Sequence, residues 1–326
     1  MSLQSVSKSQ TSQPVSVRAI FLVALVVISL VAPFFVYPLF LTKMLCFILF
    51  ASAVNIVLGY SGLLTLGHAA FFGGAAYIAA HAMKVWGTPF EVAILLAVAF
   101  SSALGLLFGF LAIRRQGIYF AMVTLALAQM IYFLAIQMPF TGGEDGITAV
   151  PRGMLFGVID LHDTLTMYYV VLVLVAFGML VIWRAINSPF GHVLAAIKEN
   201  EARVTSLGIQ PNRYKLIAFV LSAALSGLAG ALKAIAFQVA SLADVTWHMS
   251  GEVVLMTLLG GLSTLIGPGI GAAVVIALEH YLSTSGLPIM FMIGLIFMVC
   301  VMLFRRGIYG ELREWYRRSR SARDHS

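Results

Sequence analysis

Residues 90–113 read FEVAILLAVAFSSALGLLFGFLAI, and Glu91 is the one charged residue in this run. A helix needs about 20 consecutive apolar residues to cross a hydrocarbon core about 30 Å thick, so the run is predicted to span a membrane. Similar runs recur along the chain, which has 326 residues, 61% of them hydrophobic and 10% charged. Soluble domains carry about 25% charged residues, so lipid is expected to cover most of this protein's surface.

Ten apolar segments are candidate spans and predict an all-α, polytopic transmembrane helical bundle. They cover residues 17–41, 43–59, 60–83, 90–113, 117–139, 164–186, 214–239, 251–266, 268–284 and 287–304. Residues 1–16 are rich in Ser and Gln and are predicted to be disordered. Residues 17–304 then form the membrane domain, with the first run interpreted as a retained span rather than a signal peptide, and residues 305–326 form a basic tail.

Basic residues are distributed unevenly among the segments that join the spans. With a cytoplasmic N-terminus and ten crossings, most Lys and Arg residues fall on cytoplasmic segments, whereas the exterior keeps Lys43, Lys84 and Arg152. The positive-inside bias therefore predicts that both termini are cytoplasmic and that the number of crossings is even. Eight crossings fit equally well if residues 251–284 form one re-entrant hairpin. The same bias explains the net charge of +7 without nucleic-acid binding.

Two stretches interrupt the apolar pattern with glycine, namely residues 59–80 and residues 250–272. Irregular backbone survives at membrane depth only where protein or a water-filled cavity covers it, and one such interruption in each half of a chain points to a transport pathway. Small residues also allow close helix packing, and the two interpretations are compatible. His68 lies in the first stretch, as either a functional ionisable group or a neutral, hydrogen-bonded imidazole. Among the other intramembrane polar groups, Asn55 is expected to bond between helices, and Lys233 to snorkel or to pair.

Motifs for enzymatic chemistry are missing from the sequence. There is no G-x-x-x-x-G-K-[ST] phosphate loop, no H-E-x-x-H motif and no cluster of Cys and His. There is also no ladder of intramembrane carboxylates of the kind that proton-driven pumps use. The chain is therefore not expected to be an enzyme or to bind a metal or cofactor itself. Any energy that the protein uses has to come from a partner or from an ion gradient, unless it uses none.

The most specific segment is 187–215, NSPFGHVLAAIKENEARVTSLGIQPNRYK, which is predicted to be a cytoplasmic loop. It is predicted to form one short amphipathic helix that begins at Ser188-Pro189 and ends before Gly208. The charged residues Lys198, Glu199, Glu201 and Arg203 would lie on its polar side. A helix of this kind is suited to docking into a groove on a soluble partner.

Five motifs in order carry a resemblance that covers nearly the whole chain. They are GYSGLLTLGHAAFFG at 59–73, GIYFAMVTLA at 117–126, TGGEDG at 141–146, the loop itself, and GGLSTLIGP at 260–268. They resemble the high-affinity branched-chain amino acid permeases of the LivM-like type. The loop resembles the EAA-type coupling loop of ATP-binding-cassette importers, although Arg203 replaces the second Ala of that pattern.

The resemblance implies a permease subunit in a bacterial inner membrane that works by alternating access. It implies four kinds of partner: a second, LivH-like permease, two cytoplasmic ATPase subunits, a periplasmic solute-binding protein and the lipid bilayer. ATP and Mg would bind at the ATPase partners and not at this chain.

The resemblance also suggests roles for individual residues, in three groups. The candidates for coupling to the ATPases are Glu199, Glu201, Ala202, Arg203 and Gly208. The candidates for the translocation pathway are Ser61, His68, Thr124, Gln129 and Glu252. The candidates for an outer-side turn are Thr141, Gly142, Gly143, Asp145 and Gly146.

The sequence leaves alternatives for the function. Relatives with this architecture are expected to carry urea, short amides or small carboxylates as well as branched-chain amino acids. A stand-alone ion-coupled carrier is the second class, and a membrane scaffold or enzyme subunit is the third.

Overall fold

The computed structural model describes residues 29–115 and 117–283, together with residues 294, 295, 298, 307, 308, 310 and 311. Four predicted features therefore lie wholly or partly outside the described residues. They are the disordered segment 1–16, residues 17–28 of the first span at 17–41, most of the tenth span at 287–304 and most of the basic tail 305–326.

Among the described residues, the regular structure is helical apart from four two-residue strands. Its helices are α1 (Pro38–Asn55), α2 (His68–Lys84), α3 (Phe90–Ala112), α4 (Ile118–Gln137), α5 (Thr164–Ile186), α6 (Pro189–Glu199), α7 (Glu201–Ser206), α8 (Pro211–Phe237), α9 (Trp247–Gly260) and α10 (Gly267–Ser283). A π-helical turn, Ile56–Tyr60, continues α1. Within the described residues, α1 with its π-helical turn, α3, α4, α5 and α8 are long and apolar enough to cross a membrane. The predicted all-α polytopic class is thus confirmed.

The strands lie in the connections at one end of the bundle. They are β1 (Ile147–Thr148), β2 (Met154–Leu155), β3 (Ile159–Asp160) and β4 (Val239–Ala240). β1 pairs antiparallel with β4, and β2 pairs antiparallel with β3. The first pairing joins the long connection between α4 and α5 to the end of α8.

Helix ends follow local chemistry. α6 and α8 each begin with a proline, which the first turn tolerates because its N–H groups have no partner within the helix. α5 begins after Asp163, whose carboxylate accepts a hydrogen bond from the Thr166 N–H at 3.2 Å. This is the usual N-cap interaction.

Helices α1 and α8 form the centre of the bundle, and α3, α4 and α5 surround them. In their most apolar stretches, 78% of α1 and 72% of α8 is buried, against 28–33% of the three outer helices. The outer helices expose large side chains such as Leu95, Phe110, Phe133 and Phe177. Soluble monomers rarely expose apolar patches larger than a few hundred Å², whereas lipid solvates such a surface. The chain is therefore an integral membrane protein.

Small residues allow the central helices to approach closely. Gly230 of α8 lies against the backbone carbonyl of Phe72 in α2, where an added Cβ would overlap the carbonyl oxygen. Phe72 in turn stacks on Phe50 of α1, with ring centroids 4.4 Å apart. Gly73 packs against the turn that contains Val245. The packing interpretation thus holds for the part of the glycine-rich stretch that lies inside α2.

Several predicted boundaries are wrong. The predicted span 60–83 is helical only from His68, where α2 starts, because residues 61–67 are not helical. The predicted single helix within 187–215 is two helices, because Asn200 adopts an extended backbone (φ −158°, ψ 98°). The Asn200 side chain also accepts a hydrogen bond from the Arg203 N–H at 3.0 Å. Asn competes with helical backbone in this way and favours caps over helix interiors.

Candidate functional site

The first interrupted segment, residues 56–67, consists of the π-helical turn and the non-helical stretch before α2. Side chains satisfy several of its backbone groups and those at the start of α2. The N–H of Leu66 donates to Thr124 of α4 at 3.3 Å, and that of Ala69 donates to Ser250 of α9 at 2.9 Å. Unpaired backbone groups cost several kcal/mol in lipid, so these hydroxyls stabilise the break. Thr124, a predicted pathway residue, is fully buried and supports the broken backbone.

His68 is the first residue of α2 and is fully buried. Its Nε2 lies 2.8 Å from the Ser222 hydroxyl, and its Nδ1 lies 3.2 Å from the Thr65 hydroxyl. The Ser222 hydroxyl donates to the carbonyl of Ala53 at 2.6 Å, so it accepts from Nε2–H. This network places a proton on Nε2. The structure therefore places His68 in a closed hydrogen-bond network between α1, α2 and α8.

The other predicted pathway residues are dispersed. Ser61 is buried, and its hydroxyl donates to the carbonyl of Ile56 at 3.3 Å. Gln129 is half-buried on α4, and Glu252 is half-buried on α9. The structure thus does not bring the five candidates together in one cluster.

The second interrupted segment, residues 261–266, joins α9 to α10. It contacts the end of α1, just before the first segment, through Asn55. The Asn55 Nδ2 donates to the carbonyl of Thr264 at 2.8 Å, and its Oδ1 accepts from the N–H of Ser263 at 3.2 Å. The Ser263 hydroxyl donates to the carbonyl of Gly59 at 2.7 Å. The predicted role of Asn55 as a hydrogen-bonding residue between helices is confirmed. At about 1.5 Å per residue, the 14 residues of α9 fall short of a 30 Å core. The described part of α10 has 17 residues and reaches the end of the described range at Ser283, so two short spans and one re-entrant hairpin both stay predictions.

The α6–α7 segment, residues 189–206, lies at the same end of the bundle as both interruptions. Its apolar side chains Leu194, Ile197 and Val204 are buried against the helices. The Lys198 ammonium donates to the carbonyl of Gly59 at 2.7 Å and to the Ser263 hydroxyl at 3.0 Å. One lysine of this segment thus contacts both interrupted segments.

The predicted coupling residues divide into two groups. Glu199, Ala202, Arg203 and Gly208 are exposed, and Gly208 has the positive φ of 82° expected at a helix C-terminus. Glu201 instead forms an ion pair with Lys215 of α8 at 2.8 Å, and the Lys215 side chain is buried. The Glu201 carboxylate therefore fastens α7 to α8.

The opposite end of the bundle carries a mixed charge cluster. Lys43 pairs with Glu279 at 2.8 Å, and Lys233 pairs with Asp244 at 2.6 Å. The half-buried Glu252 lies within electrostatic reach of Glu279, Lys43 and Asp244. The prediction that Lys233 pairs is confirmed, and Glu279 reaches a lysine.

The predicted outer-side turn forms at this second end. The Thr141 hydroxyl donates to the carbonyl of Met138 at 2.7 Å. Gly142, Gly143 and Gly146 have φ values of 77°, 63° and 69°, a region that glycine adopts at no steric cost. Asp145 is exposed beside them. These glycines thus adopt turn conformations, and the side of the membrane that the turn faces stays a prediction.

Sequence reasoning missed the residues that hold the site together. Lys198 was counted as a loop charge, yet it bonds to a residue 139 positions away. Ser222 and Asp244 were not singled out, and Ser250 was noted only as the first residue of the stretch 250–272. None of the four stands in a local pattern that would indicate its partner.

The described structure has apolar outer helices, two broken segments that contact each other, and a charged segment bonded to both. Together these features indicate a membrane permease. A family model described as "Branched-chain amino acid transport system / permease component" matches residues 36–304, and the chain belongs to this family. The chain is 31% identical over 314 residues to the high-affinity branched-chain amino acid transport system permease protein LivM of Salmonella typhimurium strain LT2. It is equally similar to the protein of the same name from Escherichia coli strain K12. Each alignment covers 88% of this chain and 74% of the relative. No solved structure matches the chain. The predicted family is confirmed.

Proposed function

We propose that this chain is the transmembrane permease subunit of an ATP-binding-cassette importer that moves branched-chain or related amino acids into a bacterial cell. The chain works with a second, related permease, two cytoplasmic ATPase subunits and a periplasmic solute-binding protein. ATP and Mg bind at the ATPase subunits. The chain lies in the inner membrane with both termini in the cytoplasm, so the α6–α7 segment faces the ATPases.

The observation that carries this proposal is the construction of the α6–α7 segment. Its inner face is buried through Leu194, Ile197 and Val204, whereas Glu199 and Arg203 project outward. A short, firmly seated helix pair with an exposed charged surface is suited to a soluble partner. Membership in the permease family and the printed names of the two relatives support the substrate class.

In this mechanism, closure of the ATPases on ATP displaces the α6–α7 segment. The displacement changes the relative stability of two permease conformations, because the ATPases bind one conformation better than the other. Lys198 of the α6–α7 segment contacts both interrupted segments. They are therefore the part of the pathway that responds first.

The test is reconstitution of this chain in liposomes with the subunits that copurify with it. ATP hydrolysis is measured with the binding protein loaded in turn with leucine, isoleucine, valine, urea, acetamide or propionate. We expect stimulation by the branched-chain amino acids. Stimulation by urea, acetamide or propionate alone would overturn the substrate class within the same family. Uptake by this chain alone on an ion gradient, without ATP, would overturn the importer proposal.

The docking surface is tested by reversing exposed charges. Glu199→Lys and Arg203→Glu are expected to reduce copurification of the ATPases while the permease still inserts into the membrane. Glu144→Lys is the matched control, because Glu144 is exposed at the opposite end of the bundle. Equal copurification of all three variants would show that the surface was misassigned. Glu201 is unsuitable for this test because its loss would leave the buried Lys215 unpaired.

A further inference from the structure

Lys198 occupies a special position at the end of α6. Its ammonium donates to the carbonyl of Gly59 in the first interrupted segment and to the hydroxyl of Ser263 in the second. Its stem passes over Gly62, where an added Cβ would lie 3.0 Å from the Lys198 Cγ. Gly62 has a φ of 71°, so glycine is suited to this position for both conformational and steric reasons.

The acceptors of the ammonium are electrostatically favourable. The Gly59 carbonyl lies in the π-helical turn at the C-terminal end of α1, where carbonyl groups lack partners within the helix. The helix dipole also places negative potential there, which favours a cation. Isolated π-helical turns are often found at functional sites. A lysine supplied by another helix therefore stabilises the end of α1.

The same carbonyl accepts the Ser263 hydroxyl at 2.7 Å, so lysine, serine and carbonyl form a closed triangle. Ser263 has a φ of 57°, which is uncommon for a residue other than glycine. The Asn55 side chain holds its backbone in place. The two interrupted segments are thus joined to each other by Asn55 and Ser263, and to α6 by Lys198.

We propose that Lys198 is the positioning residue through which movement of α6 reaches the two interrupted segments. In the conformation described here, its ammonium ties α6 to both segments and reinforces their direct contact through Ser263. When the ATPases move α6, the ammonium leaves the Gly59 carbonyl and the Ser263 hydroxyl, which weakens the direct contact and allows the segments to separate. This inference rests on the proposed function and adds the residue that carries the coupling.

A lysine is chemically suited to such a contact. Its ammonium is a compact charge on a flexible four-carbon stem with three donors, so it can release and reform bonds to a carbonyl and a hydroxyl. Because Lys198 is exposed as a whole, water can hydrate the released ammonium. The ion pair between Glu201 and Lys215 instead joins α7 to the long helix α8.

The test uses the complete reconstituted importer and measures the amount of solute moved per ATP hydrolysed. Lys198→Met removes the ammonium but keeps most of the stem. We expect normal assembly with the ATPases and at least a tenfold fall in this ratio. Lys198→Arg keeps a donor and is expected to stay within about threefold of the wild type. His192→Gln, exposed on the same helix, is the control and is expected to leave the ratio unchanged.

A second variant keeps the test decisive if Lys198→Met fails to fold. Ser263→Ala removes one acceptor and leaves the Gly59 carbonyl, so a smaller fall in the ratio is expected. A wild-type ratio in folded Lys198→Met, or in Ser263→Ala when the first variant is unfolded, would overturn the inference. Loss of ATPase assembly in Lys198→Met would also overturn it, because Lys198 would then be a docking residue. A wild-type importer without ATP-dependent uptake would instead refute the proposed function.

Discussion

The ion pair between Lys233 and Asp244 allows a quantitative test of the structure. Lys233 lies inside α8, and Asp244 lies in the turn that packs against α2. Their side chains are 16% and 3% exposed, and two hydrogen bonds of 2.7 and 2.6 Å join them. We predict that Lys233→Met destabilises the protein strongly, because it leaves the Asp244 carboxylate buried without its partner.

The size of this destabilisation follows from the distance between the two charges and from the burial of their side chains. Two unit charges 2.6 Å apart attract each other by about 6 kcal/mol at an effective dielectric constant of about 20. Desolvation of both charges offsets much of this attraction, but removing one partner costs about 3–5 kcal/mol. The double variant Lys233→Met/Asp244→Leu removes both charges and is expected to recover most of the loss, since apolar replacements of buried pairs are often close to neutral.

The assay is thermal unfolding of the purified protein in detergent. The readout is the fraction of the protein that stays monodisperse at each temperature. Lys233→Met is expected to lower the melting temperature by on the order of 10 °C. The chain offers a matched control in the pair Lys43–Glu279, whose side chains are 29% and 33% exposed. Lys43→Met should cost about 1 kcal/mol or less. Equal shifts for Lys233→Met and Lys43→Met would refute the argument from burial.

Two further predictions concern packing and a helix cap. Gly230→Ala places a methyl group against the Phe72 carbonyl and should destabilise the bundle by about 1–3 kcal/mol in the same unfolding assay. Gly251→Ala is the control and should not destabilise it, because a methyl group there meets open space. Equal effects of the two variants would contradict the described helix crossing. Hydrogen bonds from the Thr166 N–H and hydroxyl lower the pKa of Asp163 below its usual value of 3.8, so its stabilising effect is present above that value and is lost as the pH falls through the lowered pKa. Asp163→Ala should therefore speed amide exchange at Thr166 at pH 7, whereas Asp163→Asn should have little effect, because its amide oxygen still accepts the hydrogen bond. The difference between Asp163→Ala and the wild type should shrink in strong acid as the carboxylate loses its charge, and a difference independent of pH would contradict the cap.

Much of the outer bundle follows from local sequence. The run at 90–113 corresponds to α3 (Phe90–Ala112), and the predicted span 164–186 coincides with α5 (Thr164–Ile186). Only 33% of the most apolar stretch of each helix is buried inside the bundle, and the remainder is apolar surface suited to lipid. Their length and apolar character are therefore set by the bilayer, which is the same along the whole chain.

Prediction failed where a short polar interaction competes with the helical pattern. The segment 187–215 has apolar positions suited to one helix, but Asn200 caps a new helix through the Arg203 N–H. The glycines in residues 59–80 correctly indicated that the helix is interrupted, but they did not indicate how many residues the interruption covers. That extent depends on Thr124 and Ser250, which supply hydrogen bonds from other helices.

The family and much of the turn chemistry could be predicted because ordered motifs and positive-φ glycines are local features. The arrangement of the site could not. The predicted pathway residues Ser61, His68 and Thr124 lie in separate hydrogen-bond networks, and Glu201 pairs within the chain. No residue type or spacing distinguishes a serine that caps a broken helix from one that merely packs.

The sequence by itself determined that this chain is a helical membrane protein of the permease family with one interrupted segment in each half. Apolar length, glycine and proline placement, and motif order act over a few residues each, and they need no knowledge of neighbours. Only the tertiary structure decided that the two interruptions meet and that Lys198 joins them to α6. That contact depends on the packing of α1, α6 and the α9–α10 connection, which are far apart in the chain and are brought together only by burial of their apolar faces.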